Sequence, residues 1–180
     1  METKIKEILK FIGEDPAREG LKETPKRFIK MLKELTTGYK MSAKKIINSA
    51  IFNIKYDEMV LVKNIEFVSL CEHHLLPFFG SCSVAYLPDG KIVGLSKIPR
   101  IVDVFSKRLQ VQEKMTEEIA EVLQKNLQPR GVAVVIEAYH SCMMFRGVKK
   151  TQAKMITSSM QGLFKKDERT RLEFLNLIKN

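Results

Sequence analysis

The sequence predicts an α+β fold, in which a helical arm precedes a domain built on an antiparallel sheet. Residues 1–50 carry apolar residues at helical spacing. From residue 58 onward, stretches rich in β-branched and aromatic residues are separated by turn signals, and two helical stretches lie between them. Strands and helices that occur in runs are typical of an antiparallel sheet. We therefore expect a helical arm over residues 1–50 and a sheet domain over residues 51–180.

Three helices are predicted in the arm. The first covers residues 3–12, where isoleucine and leucine recur at helical spacing. The second begins at Thr24, a residue type that caps helices, with Pro25 at the first helical position and Gly38 beyond the end. A short third helix is expected over residues 42–50.

The sheet domain alternates strand-rich and helical segments. Its long strands are marked by β-branched residues, and the sequence Pro-Asp-Gly marks a turn. The predicted elements, in chain order, are a strand over 58–70, two strands around the turn at 88–90, helices over 96–109 and 110–127, strands over 131–145 and 154–162, and a closing helix over 167–179 with Leu172, Leu175 and Ile178 on one face.

The chain is basic, with a net charge of +10 at pH 7. Such an excess favours polyanionic partners, either a nucleic acid or a phosphorylated small molecule. A solvated basic surface is the alternative, because the basic residues are scattered and form no tail. No apolar run approaches the roughly 20 residues that span a bilayer. The N-terminal segment mixes charged with apolar residues and does not resemble a secretory signal, so we expect a cytoplasmic protein.

The cysteines and histidines are concentrated in two short segments. The chain holds three of each. Cys71, His73 and His74 lie in "SLCEHHLLPFFG", and His140 and Cys142 lie in "EAYHSCMMFRG". An odd number of distant cysteines argues against a disulfide framework and favours reduced thiols or metal ligands.

Three of these residues form a candidate metal site. Cys71 and His74 have a spacing at which a turn brings two ligands to one ion, and Cys142 adds a second thiolate of the kind zinc prefers. Three protein ligands leave a fourth position for water, as in catalytic sites. His140 is two residues from Cys142 on a predicted strand, so both are expected on one face. The alternative is a pair of buried thiols with an ordinary loop histidine.

The remaining histidines could serve as general acids or bases. His73 and His140 would lie beside the metal without binding it, and an imidazole titrates near neutral pH. A hydrogen bond to a ligand, or a solvent-facing position in a loop, is the alternative for His73. Cys82 lies in an alternating strand and is expected to fill the core.

Several long motifs in order resemble one family. "SLCEHHLLPFFG", "GLSKIPRIV", "QVQE", "EAYHSCMMFRG" and "QGLFKKDERTRLEFL" closely resemble GTP cyclohydrolase I, from about residue 14 to the C-terminus. That family opens the imidazole ring of GTP, expels C8 as formate, and closes a new ring to give 7,8-dihydroneopterin triphosphate. The resemblance implies the tunnelling fold, with an antiparallel sheet carrying two helices on one face as the catalytic domain. It also implies a homo-oligomer, typically a decamer of two pentamers.

The resemblance assigns a role to matched positions. It implies Zn²⁺ as cofactor and GTP as substrate, with no nucleic-acid or membrane partner. Glu113 matches the residue that holds guanine, with Gln112 beside it, although an acidic residue in the first turn of a helix has a purely structural explanation. The implied zinc ligands are Cys71, His74 and Cys142, and the implied catalytic residues are His73 and His140. The implied phosphate contacts are Ser96, Lys97, Arg100 and Arg146. A neighbouring subunit is expected to contribute Arg27 and Lys30.

Three rival functions remain open at this point. A reductase of the same fold acts on a deazaguanine nitrile through a cysteine nucleophile and NADPH, but it does not use this zinc set. A zinc-stabilised nucleic-acid module would need four closed ligands and aromatic residues among the basic ones. A catalytically silent scaffold of the same fold is the third. For Arg27 and Lys30, a solvated basic helix face is the alternative.

Overall fold

The computed structural model describes residues 1–179, which form an α+β domain with N-terminal helices, as the sequence predicted. The helices are α1 (Glu2–Phe11), α2 (Thr24–Leu35), α3 (Ala43–Asn48), α4 (Lys97–Ser106), α5 (Gln112–Leu127), α6 (Ser141–Met144), α7 (Leu163–Lys166) and α8 (Glu168–Lys179). The strands are β1 (Ile51–Asn53), β2 (Val60–Cys71), β3 (Pro77–Leu87), β4 (Lys91–Val93), β5 (Leu109–Gln110), β6 (Gly131–His140) and β7 (Met155–Gly162).

The main sheet has five strands in the order β5-β2-β3-β6-β7. Its pairs are antiparallel except that the short β5 runs parallel to β2. The sequence predicts a hairpin of two strands around the turn at 88–90; both strands form, as β3 and β4, but they do not pair with each other. Strand β4 pairs with β1 in a separate two-stranded sheet, because β2 and β6 already occupy both edges of β3.

The core lies between one face of the sheet and helices α3, α4 and α5. Alternate residues of β3 and β6, such as Val84, Val134 and Ile136, point into it. The opposite face is covered at one end by α7 and α8, where the rings of Phe164 and Phe174 meet edge to face with centroids 5.7 Å apart. This aromatic pair anchors the C-terminal helices.

The buried face of α8 differs from the predicted one. Phe174 is fully buried, whereas Leu172 is 49% exposed. Leu175 and Ile178 do pack, as predicted, against the buried cluster that contains Phe164 and Phe174. A wide aromatic ring reaches further into the groove than leucine, so it centres the buried face of the helix on Phe174.

The predicted strand over 131–145 is too long. Strand β6 ends at His140, and the next four residues form α6. The last rung of the ladder pairs Phe78 with His140. Strand β3 begins at Pro77, so β6 has no partner strand beyond this point on that side. Cys142 therefore lies on a helix, and alternation along a strand does not determine its position relative to His140.

The helical arm does not separate cleanly from the sheet domain. Ala43 and Ile47 of α3 belong to the main core, beneath α4 and α5. Helices α1 and α2 contact each other and lie outside that core. The division at residue 50 stays a prediction.

Candidate metal centre and active site

Three strand ends meet at one end of the sheet. Strand β2 ends at Cys71, β3 begins at Pro77, and β6 ends at His140. The register places Ser69 opposite Phe78, and Phe78 opposite His140. Residues far apart in sequence are therefore held side by side on rigid strands.

A tight turn after β2 brings His74 back to Cys71. The backbone N–H of Leu75 donates to the Cys71 carbonyl at 2.8 Å, and the N–H of Cys71 donates to the Leu76 carbonyl at 2.8 Å. Leu75 adopts the left-handed conformation, with φ of 55°, which costs a residue with a Cβ about 1–2 kcal/mol. As a result, Sγ of Cys71 lies 3.9 Å from Nδ1 of His74.

Cys142 completes a group of three metal-ligand side chains. One ligand atom from each of Cys71, His74 and Cys142 lies within 4.8 Å of the others. Cys142 lies in the first turn of α6. Its burial and the neighbouring Cys71 thiol raise the pKa of the Cys142 thiol. A cation would offset that cost by favouring the thiolates, and two thiolates with one imidazole suit zinc.

His73 borders this group. Its Nδ1 lies 3.9 Å from Sγ of Cys71, and its Nε2 lies 4.0 Å from a carboxylate oxygen of Glu72. The side chain is 63% exposed. The imidazole is therefore close enough to act beside a bound ion and open enough to exchange protons with solvent.

His140 lies outside the metal group and is held on two sides. Its ring stacks on Phe78 with centroids 4.7 Å apart and an interplanar angle of 3°. Its Nε2 lies 2.8 Å from Oε1 of Gln112. Burial lowers the pKa of His140, and the nearby Glu113 carboxylate opposes that shift. Glu113, the predicted guanine contact, directly follows Gln112 in α5 and so lies near this histidine.

The first two residues of α5 have opposite exposures. Gln112 is fully buried, with its amide bonded to other residues of the chain, so its side chain offers no free group to a substrate. Glu113 is exposed. It lines a surface cavity of about 330 Å³ together with Glu117, Thr157, Ser158 and Ser159.

Arg146 lies at the metal group itself. Its Nη1 is 2.9 Å from Nε2 of His74. A guanidinium has no acceptor atom, so the histidine nitrogen accepts this hydrogen bond. Arg146, which is predicted to contact phosphate, therefore lies next to the candidate metal ligands.

The other predicted phosphate contacts lie far away within the chain. Ser96 is the N-cap residue of α4, and Lys97 begins the helix. The adjoining Leu95 shares a cavity with Val60 and Val62, at the end of β2 opposite to Cys71. With a rise of about 3.3 Å per residue, the two ends of the strand are roughly 36 Å apart.

The remaining predicted cations are exposed on helices. Arg100 lies one turn into α4. Arg27 and Lys30 are exposed on α2, and Lys30 lies 3.8 Å from Glu34. Within residues 1–179, Arg27, Lys30 and Arg100 form no hydrogen bond to the metal group. The structure therefore brings together Cys71, His73, His74, His140, Cys142, Glu113 and Arg146, but not Ser96, Lys97, Arg100, Arg27 or Lys30.

Sequence reasoning missed the residues that support His140. Phe78 enters the sequence argument only as part of a motif, and Thr116 and Thr157 do not enter it. No local pattern marks them, because Phe78 lies opposite His140 in the β3–β6 pairing, and the two threonines meet where α5 packs against β7. The one available signal of this network in the sequence is Gln112 itself, a polar residue at the start of a helix whose buried face is mostly apolar.

Comparison with known proteins identifies the family. A family model described as GTP cyclohydrolase I matches residues 1–179. The chain belongs to the GTP cyclohydrolase I family. This confirms the resemblance seen in the motifs, and it sets aside the reductase of the same fold and the nucleic-acid module.

Curated relatives of the family match over nearly their full length. GTP cyclohydrolase 1 of Leptospira biflexa is 58% identical over 179 residues, covering 99% of this chain and 98% of the relative. GTP cyclohydrolase 1 of Coxiella burnetii is 57% identical over 175 residues, covering 97% and 95%. A solved structure, the archaeosine synthase QueF-Like in the apo form, aligns with a TM-score of 0.48 and 19% identity, covering 60% of this chain and 97% of that one.

None of the helices within residues 1–179 combines the length and apolar character needed to cross a membrane.

Proposed function

We propose that the protein is a zinc-dependent GTP cyclohydrolase I. The reaction opens the imidazole ring of GTP by hydrolysis, releases C8 as formate, rearranges the ribose and closes a new ring, giving 7,8-dihydroneopterin triphosphate, the first step of tetrahydrofolate and pterin biosynthesis. One observation carries the proposal. In a chain of this family, the Cys71–His74–Cys142 group lies at the end of the sheet where β6 ends at His140, and Glu113 adjoins Gln112, whose side chain bonds to His140.

The metal in this proposal is Zn²⁺, held by Cys71, His74 and Cys142. The donor types and their mutual distances fit such an ion. When bound, the zinc supplies a water molecule whose pKa is lowered to near neutrality.

Two histidines handle protons in the proposed mechanism. In its protonated, imidazolium form, His140 donates a proton to N7 of guanine, which makes the adjacent C8 more electrophilic towards water. The partly buried stacked ring suits this role, because a fixed orientation aims the proton at one atom. The more exposed His73 serves the later transfers that accompany the release of formate.

Glu113 recognises the base. A carboxylate accepts hydrogen bonds from both the ring N1–H and the exocyclic amine of guanine, two donors that adenine does not present together. The exposed position of Glu113 beside a cavity supports this assignment. The Gln112 backbone, next to Glu113, can line the same pocket, whereas its side chain points into the protein.

Arg146 is the phosphate contact that lies at the metal group, where its Nη1 bonds to Nε2 of His74. With an ion on its other ring nitrogen, a neutral His74 would carry a hydrogen on Nε2 and would not accept from Arg146. The guanidinium would then be free to form the bidentate contacts with phosphate that suit it. Remote binding of the triphosphate positions the base for reaction, and it accounts for the basic charge of the chain without a nucleic acid.

The proposed active site is shared between copies in a homo-oligomer, by resemblance a decamer. Ser96 and Lys97 are separated from Cys71 by most of the length of β2, so another copy must supply these contacts, together with Arg100, Arg27 and Lys30. The sheet also leaves apolar side chains uncovered: Val68 is 46% exposed and Ile156 is 65% exposed. Strand β7 is an edge strand, and pairing with a neighbouring copy would cover it.

A cytoplasmic location belongs to the same proposal. The three cysteines are unpaired, and a reducing compartment keeps metal-ligating thiols available. The substrate, a nucleoside triphosphate, is an intracellular compound.

The decisive experiment is incubation of the zinc-loaded protein with GTP. We expect stoichiometric formate and a product with pterin fluorescence after oxidation. Absence of both products from a correctly assembled, zinc-containing protein would refute the proposal. Guanosine is the matched control, because it carries the same base without the phosphates.

A further inference from the structure

The proposed reaction leaves the buried side chain of Gln112 without a role. Its Nε2 lies 3.0 Å from the carbonyl oxygen of Ile136, 3.1 Å from that of Met155 and 3.1 Å from Oγ1 of Thr157. Carbonyl oxygens only accept hydrogen bonds, so the group facing them must be the NH₂, whose two hydrogens are shared among three acceptors. The amide oxygen therefore points the other way, towards His140.

Two threonines order the hydrogens of this network. The hydroxyl of Thr116 donates to the Gln112 carbonyl at 2.7 Å. A hydroxyl has one hydrogen, so Thr157 must be the donor in the 2.7 Å contact between the two threonines. The Thr157 oxygen is then an acceptor for the Gln112 amide. Turning the amide over would set its oxygen against two carbonyls, so its orientation is determined.

The orientation of the amide determines the tautomer of His140. Oε1 of Gln112 lies 2.8 Å from Nε2 of the imidazole. Because an amide oxygen only accepts, Nε2 must carry a hydrogen. In a neutral imidazole the other nitrogen then has a free lone pair. Nδ1 forms no hydrogen bond to any group in residues 1–179, and stacking on Phe78 restricts the plane of the ring.

We propose that Gln112 is a positioning residue, which fixes the tautomer and orientation of His140 so that Nδ1 is the atom through which protons pass to and from the substrate. The inference rests on the proposed function and refines it. It assigns the Gln112 side chain to the histidine and not to guanine. Releasing the amide to contact a base would give up its hydrogen bonds to the Ile136 and Met155 carbonyls and to Thr157, which disfavours any movement of this side chain into the substrate pocket.

The first test is the Gln112→Met variant, which keeps the length of the side chain and removes both polar atoms. We expect kcat for formate release to fall about 10–100-fold, with KM for GTP and zinc content nearly unchanged. Gln124→Met is the matched control on the same helix, at its far end, where the amide contacts only Pro129; it should retain normal turnover.

The second test observes the histidine directly in the full-length, zinc-loaded protein. The three histidines can be labelled with ¹⁵N and examined by solid-state NMR, above the usual imidazole pKa, with His140 assigned by its absence in His140→Ala. We expect hydrogen on Nε2, protected from exchange with solvent, and none on Nδ1. Thr157→Val retains the bond between Gln112 and His140 and should preserve this signature, whereas Gln112→Met should lose the protection.

The outcomes separate this inference from the proposed function. If the wild-type protein converts GTP but its His140 carries the hydrogen on Nδ1, the inference is overturned, even where Gln112→Met does not fold. A rise in KM of Gln112→Met with unchanged kcat would assign the Gln112 side chain to substrate binding and would also overturn the inference. Unchanged kinetics of this variant would overturn it as well. Failure of the wild-type protein to convert GTP would count against the proposed function instead.

Discussion

Replacing His140 with Ala tests the division between metal binding and proton transfer. His140 is two residues from Cys142, yet its ring lies outside the three-residue metal group and bonds to Gln112. The variant should therefore keep its zinc and still bind GTP. It should lose about 10²–10⁴-fold in the rate of formate release, the usual contribution of a general acid.

The same change also destabilises the fold by an amount that can be worked out from its contacts. Removing the ring leaves the buried Oε1 of Gln112 without a donor, which costs about 1–3 kcal/mol. It also removes the stacking on Phe78, worth about 0.5–1.5 kcal/mol. The combined loss of about 1.5–4.5 kcal/mol remains below the total stability of about 5–15 kcal/mol of a typical domain, so the variant should stay folded.

A matched control separates lost stability from lost chemistry. Phe174→Ala removes a fully buried ring and should cost about 3–5 kcal/mol. It lies beside Phe164, at the end of the sheet opposite to His140, so zinc-loaded protein that remains assembled should keep its turnover. Metal content, GTP affinity, formate release and denaturant unfolding are measured on both variants. Loss of zinc from His140→Ala, or near-normal formate release with zinc in place, would refute the role of this histidine.

Further predictions concern the metal, the phosphates and the assembly. Cys142→Ala should lose zinc and activity together, because two ligands bind the ion far more weakly than three; retention of stoichiometric zinc would contradict the ligand set. Arg146→Ala and Lys97→Ala should each weaken GTP binding more than guanosine binding in titration calorimetry, because their partner is phosphate, and an equal loss for both ligands would contradict this. Sedimentation should show a large homo-oligomer, since Lys97 cannot reach the Cys142 end of its own sheet; a fully active monomer would exclude the shared site.

Most of the local structure, and the family, can be inferred from the amino-acid sequence alone. Apolar spacing predicts α1, and the terminal signals Pro25 and Gly38 predict α2, because such patterns lie within a few residues of one another. The turn between Cys71 and His74 is equally local, and so the pairing of these two side chains can be foreseen. The motifs are also long and specific enough to identify the family without reference to the fold.

Features that depend on distant partners follow only from the way the chain packs. Strand β4 pairs with β1 because both edges of β3 are occupied, and Cys142 reaches the metal group from a helix because β6 has no further partner on the β3 side after His140. The role of Gln112 depends on a residue 28 positions away. Which residues become hydrogen-bond partners at such separations depends on how α5 packs on the sheet. The apolar periodicity of a short segment carries no information about that packing.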